Sequence, residues 1–184
     1  MNSTAKKTDL VVIGAGPGGY AAAFRAAELG LQVTLVDPEE NPGGVCLYRG
    51  CIPSKALLHV AAMIREAEEA DKIGLTFKKP EVDLDKVRNW KDDIIAKLTG
   101  GLGGKVKKLK LDHMRGLARF ADSHTIIVTD GDGKETSLSF DQAILATGSR
   151  PGPIPPGAGA GLPFSTLAGC IRRGSTGPAC VRRI

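Results

Sequence analysis

Apolar residues at the start of the chain come in unbroken runs rather than in alternation. Leu10-Val11-Val12-Ile13 is short, mostly β-branched and stopped by glycine, which predicts a strand buried on both faces. Tyr20 to Leu29 is alanine-rich and helical in pattern, and Gly30 closes it. Leu31 to Val36 predicts a second apolar strand ending at Asp37. A longer helix is expected through Ala56-Leu57-Leu58 to about Ala70, with Pro53 removing a helical hydrogen bond and bending the first turns. Asp83 reads as an N-cap, because Leu84, Val87, Trp90, Ile94 and Leu98 follow at helical spacing, with Trp90 a packing residue. Glycines at 100, 101, 103 and 104 are expected to weaken that helix.

Three β segments follow, around Arg115 to Phe120, Thr125 to Thr129 and Thr136 to Phe140. Asp130-Gly131-Asp132-Gly133 marks a hairpin turn between the last two. Gln142 to Ala146 reads as a separate strand, stopped by Thr147-Gly148-Ser149-Arg150-Pro151. The pattern predicts an α/β fold: a parallel sheet, flanking helices and a small antiparallel β-meander. Residues 1–150 form the expected domain. Residues 151–184 hold seven Gly, six Pro and no acid, and are expected to be a poorly ordered tail. Gly157-x-Gly159-x-Gly161 lies there too, but prolines precede it instead of a strand, so it is rejected as a nucleotide turn.

The first two strands and the helix between them carry candidate chemistry. Gly14-x-Gly16-x-x-Gly19 occupies the first turn, and Asp37 lies about 20 residues on, at the end of the next strand. Glycines there let the backbone approach a pyrophosphate, and a helix start stabilises its negative charge. A carboxylate at the second strand's end can accept ribose hydroxyls. Ala21, Ala22, Ala23, Ala26 and Ala27 suit a helix lying close on a sheet, which is packing and not chemistry.

Between that unit and the long helix lies Gly43-Gly44-Val45-Cys46-Leu47-Tyr48-Arg49-Gly50-Cys51-Ile52-Pro53-Ser54-Lys55. Thiol–disulfide exchange needs two sulfurs within reach, one of them accessible. Two cysteines with four residues between them can close a small ring without long-range folding. Taken alone, the pair reads first as two unrelated buried core cysteines; the nucleotide turn beside it reverses that order in favour of redox chemistry.

Composition narrows the setting. The 184 residues are 42% hydrophobic and 24% charged, an ordinary globular mixture, and only 4% aromatic, so Ala, Val, Ile and Leu must build the core. No apolar run approaches a membrane span, and the polar start from Met1 to Lys7 is not a signal peptide pattern. A cytoplasmic location is expected, where paired cysteines are more often catalytic than structural. The net charge of +5 rests largely on Arg172, Arg173, Arg182 and Arg183, so no folded basic face for nucleic acid is expected. Lys105, Lys107, Lys108 and Lys110 read as a solvated face. Cys170 and Cys180 have no metal-ligand spacing, and no metal site is expected.

Three separated segments resemble one family. They are Val12 to Gly19, Gly43 to Leu58 and Ile144-Leu145-Ala146-Thr147-Gly148-Ser149-Arg150-Pro151. The chain resembles the FAD-dependent pyridine nucleotide-disulfide oxidoreductases over residues 8 to about 150, and most closely those members that oxidise dihydrolipoyl groups. The resemblance implies a Rossmann-like FAD-binding domain. It implies that Gly14, Gly16, Pro17, Gly18 and Gly19 hold the FAD pyrophosphate and Asp37 the adenosine ribose. Asp37 stands where the family usually has glutamate. Gly44, Val45, Cys46 and Lys55 would lie against the cofactor, Lys55 near the flavin ring. The backbone at Ala118 would lie near the adenine, and Thr147 and Gly148 would close over the cofactor.

The resemblance also implies a mechanism. Dihydrolipoyl thiolate attacks Cys46, Cys51 passes electrons to the flavin, and reduced FAD passes hydride to NAD+. Implied partners are a lipoyl-bearing subunit of a 2-oxo acid dehydrogenase complex and a second copy in a homodimer. The family's NAD-binding and interface domains, and its acid–base histidine, have no counterpart in this sequence; His59, His113 and His124 match none of those motifs. A frame slip, a premature stop or a partial gene product would each give that pattern. The chain alone is therefore expected not to turn over with NAD+. A stand-alone flavin-binding redox module and a poorly folding, non-catalytic fragment are the alternatives.

Overall fold

The computed structural model describes residues 6–149. The expectations for the tail, including the arginines and Cys170 and Cys180, lie outside them. Two compact units divide the described chain. The first holds the residues up to Cys46 together with Leu98–Ser149, and the second holds Leu47–Lys97.

The first unit is α/β, as the pattern predicts. Strand β1 (Lys6–Ile13) leads into helix α1 (Pro17–Glu28) and strand β2 (Val33–Asp37). Strands β3 (Asp112–Arg115), β4 (Leu117–Phe120), β5 (Thr125–Thr129) and β6 (Glu135–Leu145) come later in the chain. They join into one six-stranded sheet in the order β3-β2-β1-β6-β5-β4. The β3-β2-β1-β6 part is parallel, and β6-β5-β4 is the antiparallel meander.

The unbroken apolar runs are explained by cover on both faces. Leu10, Val12, Val33 and Leu35 pack against Ala23, Phe24 and Ala26 of α1, and against Val106 and Leu111. Val11, Ile13 and Val36 face Ile126, Val128, Leu138 and Phe140 of the meander. Leu35 is fully buried, which is worth about 1.5–3 kcal/mol relative to exposure. Lys105 spans the polar edge of the helical layer: its Nζ lies 3.3 Å from Glu28 and 4.9 Å above the Phe24 ring.

Several expectations change. The segments read as Thr136–Phe140 and Gln142–Ala146 are one strand, β6, which pairs with β5 through Ser139 and with β1 as far as Leu145. Polar Asp141 and Gln142 suggested a break in sequence, but the β1 ladder runs on through Gln142. Conversely, the single segment expected over Arg115–Phe120 is two strands parted at Gly116. β3 lies at one margin of the sheet and β4 at the other, and β4 returns to touch β2. The Asp130 turn forms as expected: Oδ1 of Asp130 accepts from the amides of Asp132 and Lys134, at 3.0 and 2.9 Å.

The second unit holds most of the cysteine-bearing stretch. A short helix α2 (Gly44–Arg49) begins in the first unit, and α3 (Cys51–Glu69) follows after Gly50. Because α3 starts at Cys51, Pro53 sits in its first turn, where helix amides have no intrahelical partner. Pro53 therefore costs no helical hydrogen bond, contrary to the expected bend. A 3-10 turn (Ala70–Ile73) extends α3, and helix α4 (Leu84–Lys108) runs on without interruption through the four glycines. Asp83 caps it: Oδ1 accepts from the amides of Asp85 and Lys86 at 3.1 and 3.0 Å. Trp90 is 41% exposed and meets the His59 ring at 6.2 Å, so it packs on one side only.

Candidate functional site: a glycine cradle at the end of β1

The backbone turns from β1 into α1 through Gly14-Ala15-Gly16, and each glycine here meets a different demand. Gly14 has φ +99°, and a Cβ on it would lie 2.3 Å from the Ala146 carbonyl oxygen. On Gly19, a Cβ would lie 1.8 Å from the Gly14 oxygen; on Gly44, φ +58°, it would lie 2.5 Å from the Gly16 Cα. Backbone thus rests directly on backbone at these positions. Gly18 differs, because nothing lies within 4 Å of where its Cβ would be. It faces open space, beside the exposed ring of Pro17.

No side chain caps α1 at Gly16, and no acid stands in its first turn. The first-turn amides and the helix dipole are therefore left to an outside acceptor, an arrangement that suits an anion. The absent Cβ at Gly18 leaves room for that anion to approach the backbone.

Asp37 ends β2 and is 9% exposed. Its Oδ2 accepts from the Ala15 amide at 2.7 Å, and its Oδ1 from the Glu39 amide at 2.9 Å. Its carbonyl accepts from the Gly116 amide at 3.1 Å. The cradle is laced further by Gly14 N–H to Val36 O, Gly43 N–H to Ala15 O and Ala146 N–H to Ile13 O, at 2.8–2.9 Å. Gly14, Gly16, Gly19, Asp37, Gly44 and the backbone at Ala146–Thr147 are therefore assembled at one end of the parallel strands. Thr147 and Gly148 follow β6, both exposed, with Gly148 at φ +68°.

The remaining residues singled out in sequence are placed as follows. Val45 is 52% exposed and Cys46 half-buried, both in α2. Cys46 belongs to the first unit and Cys51 to the second. Cys51 is the exposed first residue of α3, and Lys55, also exposed, lies four residues on along the same helical face. Ala118 pairs with Val128 in the meander and packs against its apolar cluster.

Gly116, two residues earlier, carries the contact to Asp37, and sequence reasoning passed over it. A Cβ there would lie 2.4 Å from the Thr129 oxygen. The available signal was a lone glycine inside a presumed strand. His113 on β3 also went unassigned. Burial pushes its pKa below the usual 6.5; Asp37 and Asp112 pull it up, and Arg115 pushes it down. Among the described residues, no group of His, Cys, Asp or Glu side chains is arranged to hold a metal ion, and no helix is long and apolar enough to cross a membrane.

Dihydrolipoyl dehydrogenase of Haemophilus influenzae is 54% identical over 149 residues, covering 81% of this chain and 31% of that protein. The proteins of the same name from Vibrio cholerae and Bacillus subtilis are 50% and 48% identical over 149 residues, with the same coverage. The chain thus spans about 31% of the length of these relatives. A family model described as pyridine nucleotide-disulphide oxidoreductase matches residues 8–176. With a glycine cradle at the end of β1, an acid at the end of β2 and that match across most of its length, the chain belongs to the pyridine nucleotide-disulphide oxidoreductase family.

Proposed function

We propose that this chain is the FAD-binding, disulfide-bearing part of a dihydrolipoyl dehydrogenase. The observation that carries the proposal is the cradle: an uncapped helix start, open space at Gly18, and a carboxylate fixed at the end of the next strand. Those features fit a dinucleotide. Gly14, Gly16, Pro17, Gly18 and Gly19 would take the pyrophosphate. Each carboxylate oxygen has about two acceptor sites, so Asp37 retains capacity for a ribose hydroxyl beside the amides it already holds. Gly44, Val45, Cys46, Lys55, Ala118, Thr147 and Gly148 complete the proposed contacts. Bound there, FAD would supply a two-electron acceptor for the cysteine pair.

The chain's own step is thiol–disulfide exchange. Cys46 and Cys51 are both thiols in this structure. In the oxidised pair, a dihydrolipoyl thiolate would attack Sγ of Cys46, breaking the Cys46–Cys51 disulfide and releasing the Cys51 thiolate. The second substrate thiol, as thiolate, then attacks the mixed disulfide, closing the lipoyl ring and releasing Cys46. Two electrons pass from substrate to the cysteine pair, and two protons are left to solvent or a base. The proposed electron acceptor is NAD+ and the proposed partner a lipoyl-bearing subunit of a 2-oxo acid dehydrogenase complex, with a homodimer as the assembly. By the family resemblance, the NAD+ site and the acid–base histidine lie in parts of the relatives that this chain does not span. The isolated chain is therefore expected to bind flavin without NAD-linked turnover.

The test is purification of the chain with FAD, followed by reductive titration. The proposal predicts a yellow protein that accepts two electrons per flavin and two more per disulfide, the latter lost in Cys46→Ser or Cys51→Ser. Protein that stays colourless in excess FAD overturns it. A second reading, a non-catalytic fragment prone to aggregate, draws on Leu58, Met63 and Phe77, which are 52%, 57% and 61% exposed. Colourless aggregated protein would favour that reading.

A further inference from the structure

Asp37 stands where a cofactor-binding acid is expected, and both of its carboxylate oxygens also bond to the protein itself. Ala15 is fully buried, so its amide has no access to water and depends on Oδ2 of Asp37 at 2.7 Å. Oδ1 accepts from the amide two residues on, Glu39, closing an Asx-type turn that begins the segment towards Gly43 and Gly44. Gly43 in turn donates to the Ala15 carbonyl at 2.9 Å. One carboxylate thus ties the turn after β1 to the turn after β2, and Gly43 closes the circuit. An aspartate has the length for the Asx ring; a glutamate, one methylene longer, does not reproduce it.

We propose that Asp37 is a positioning residue: its carboxylate holds the glycine cradle in its binding shape before any ligand arrives. The inference rests on the FAD reading only for its consequence in binding. In a preformed cradle the ordering cost is met during folding, so association with the cofactor is faster than to a loop that must first close.

The clamp makes a residue-level prediction for the cofactor-free full chain, read by amide hydrogen exchange. Asp37→Ala removes both acceptors, so the Ala15 and Glu39 amides should exchange roughly ten- to a hundred-fold faster, the worth of a hydrogen bond to a charged group. Asp37→Asn keeps one acceptor oxygen for two amides, so one of them should lose protection and the other keep it. The Gly14 amide, bonded to Val36 O at 2.8 Å, serves as the control and should stay protected in both variants.

Stopped-flow mixing with FAD supplies the second readout. Loss of the clamp slows association of Asp37→Ala, whereas loss of a simple ribose contact speeds dissociation. Unchanged exchange at Ala15 and Glu39 with faster FAD dissociation overturns the clamp. Equal acceleration of Gly14 and the β1 amides also overturns it, because Asp37 would then be a general stabiliser. A parent protein that binds no FAD but shows the predicted exchange pattern upholds the clamp and overturns only the cofactor reading.

Discussion

Gly18 and Gly19 are neighbours with opposite reasons to lack a side chain. Gly19→Ala drives a methyl to within 1.8 Å of the Gly14 oxygen, so the turn cannot keep its shape. It should lower the melting temperature and abolish flavin binding together. Gly18→Ala meets no protein atom within 4 Å and lies in the first turn of α1. Its cofactor-free stability should hold or rise by up to about 1 kcal/mol, since alanine is the better helix former. Flavin affinity should nevertheless fall, because the methyl occupies the approach left open to the phosphates. Thermal melts beside flavin titrations check the pair; if Gly18→Ala binds FAD normally, the pyrophosphate lies elsewhere. His113 offers a test by pH. Its folded pKa lies below the unfolded 6.5, so the folded chain resists taking up a proton. The stability it contributes is present above about 6.5 and is lost as pH falls through the lowered value. His113→Leu should flatten the loss of stability below pH 6.5, and denaturant midpoints across that range would show whether it does.

Elements were legible where their cause is local. The run Leu10–Ile13 and the Val33–Val36 part of the run from Leu31 announced buried strands because both faces are covered, whereas Leu31 and Gln32 are exposed and precede β2. Asp83 announced a helix start because capping is settled within three residues. Asp83→Ala should destabilise the chain by about 1 kcal/mol, read from helical circular dichroism in urea. An unchanged midpoint would mean the cap contributes nothing. What failed was non-local. Asp141 and Gln142 break an apolar run, but a β1 partner beyond the reach of sequence pattern carries the strand through. Four glycines argued against a helix, yet α4 continues through them, and at Gly103 a Cβ would sit 2.0 Å from Oδ1 of Asn41. The missing side chain there makes room for a neighbour. At the site, the glycine pattern was readable because its spacing is fixed within one turn. The amide partners of Asp37 were not, because they come from the turns that follow two different strands.

At the scale of the whole molecule, one glycine links the two margins of the sheet. Gly116 follows β3 at one margin and precedes β4 at the other, with its amide on the Asp37 carbonyl. Gly116→Val would press into Thr129 and Val128, and relief of that clash would shift the backbone amide that donates to the Asp37 carbonyl. It should lower stability by roughly 2 kcal/mol or more and weaken flavin binding as well. Unfolding midpoints and flavin titration on the same preparation test both; a stable variant with normal affinity would show that the junction is tolerant.

The longest ladder in the sheet joins Lys6–Ile13 to residues of Glu135–Leu145, the first described strand to the last. During translation β1 leaves the ribosome first and must wait for that partner. At about 5–20 residues per second, the wait is on the order of ten seconds. Throughout it, an apolar strand is exposed to other nascent chains and to chaperones. Synthesis rate and chaperone supply should therefore govern the yield of folded protein more strongly than single contacts in its core.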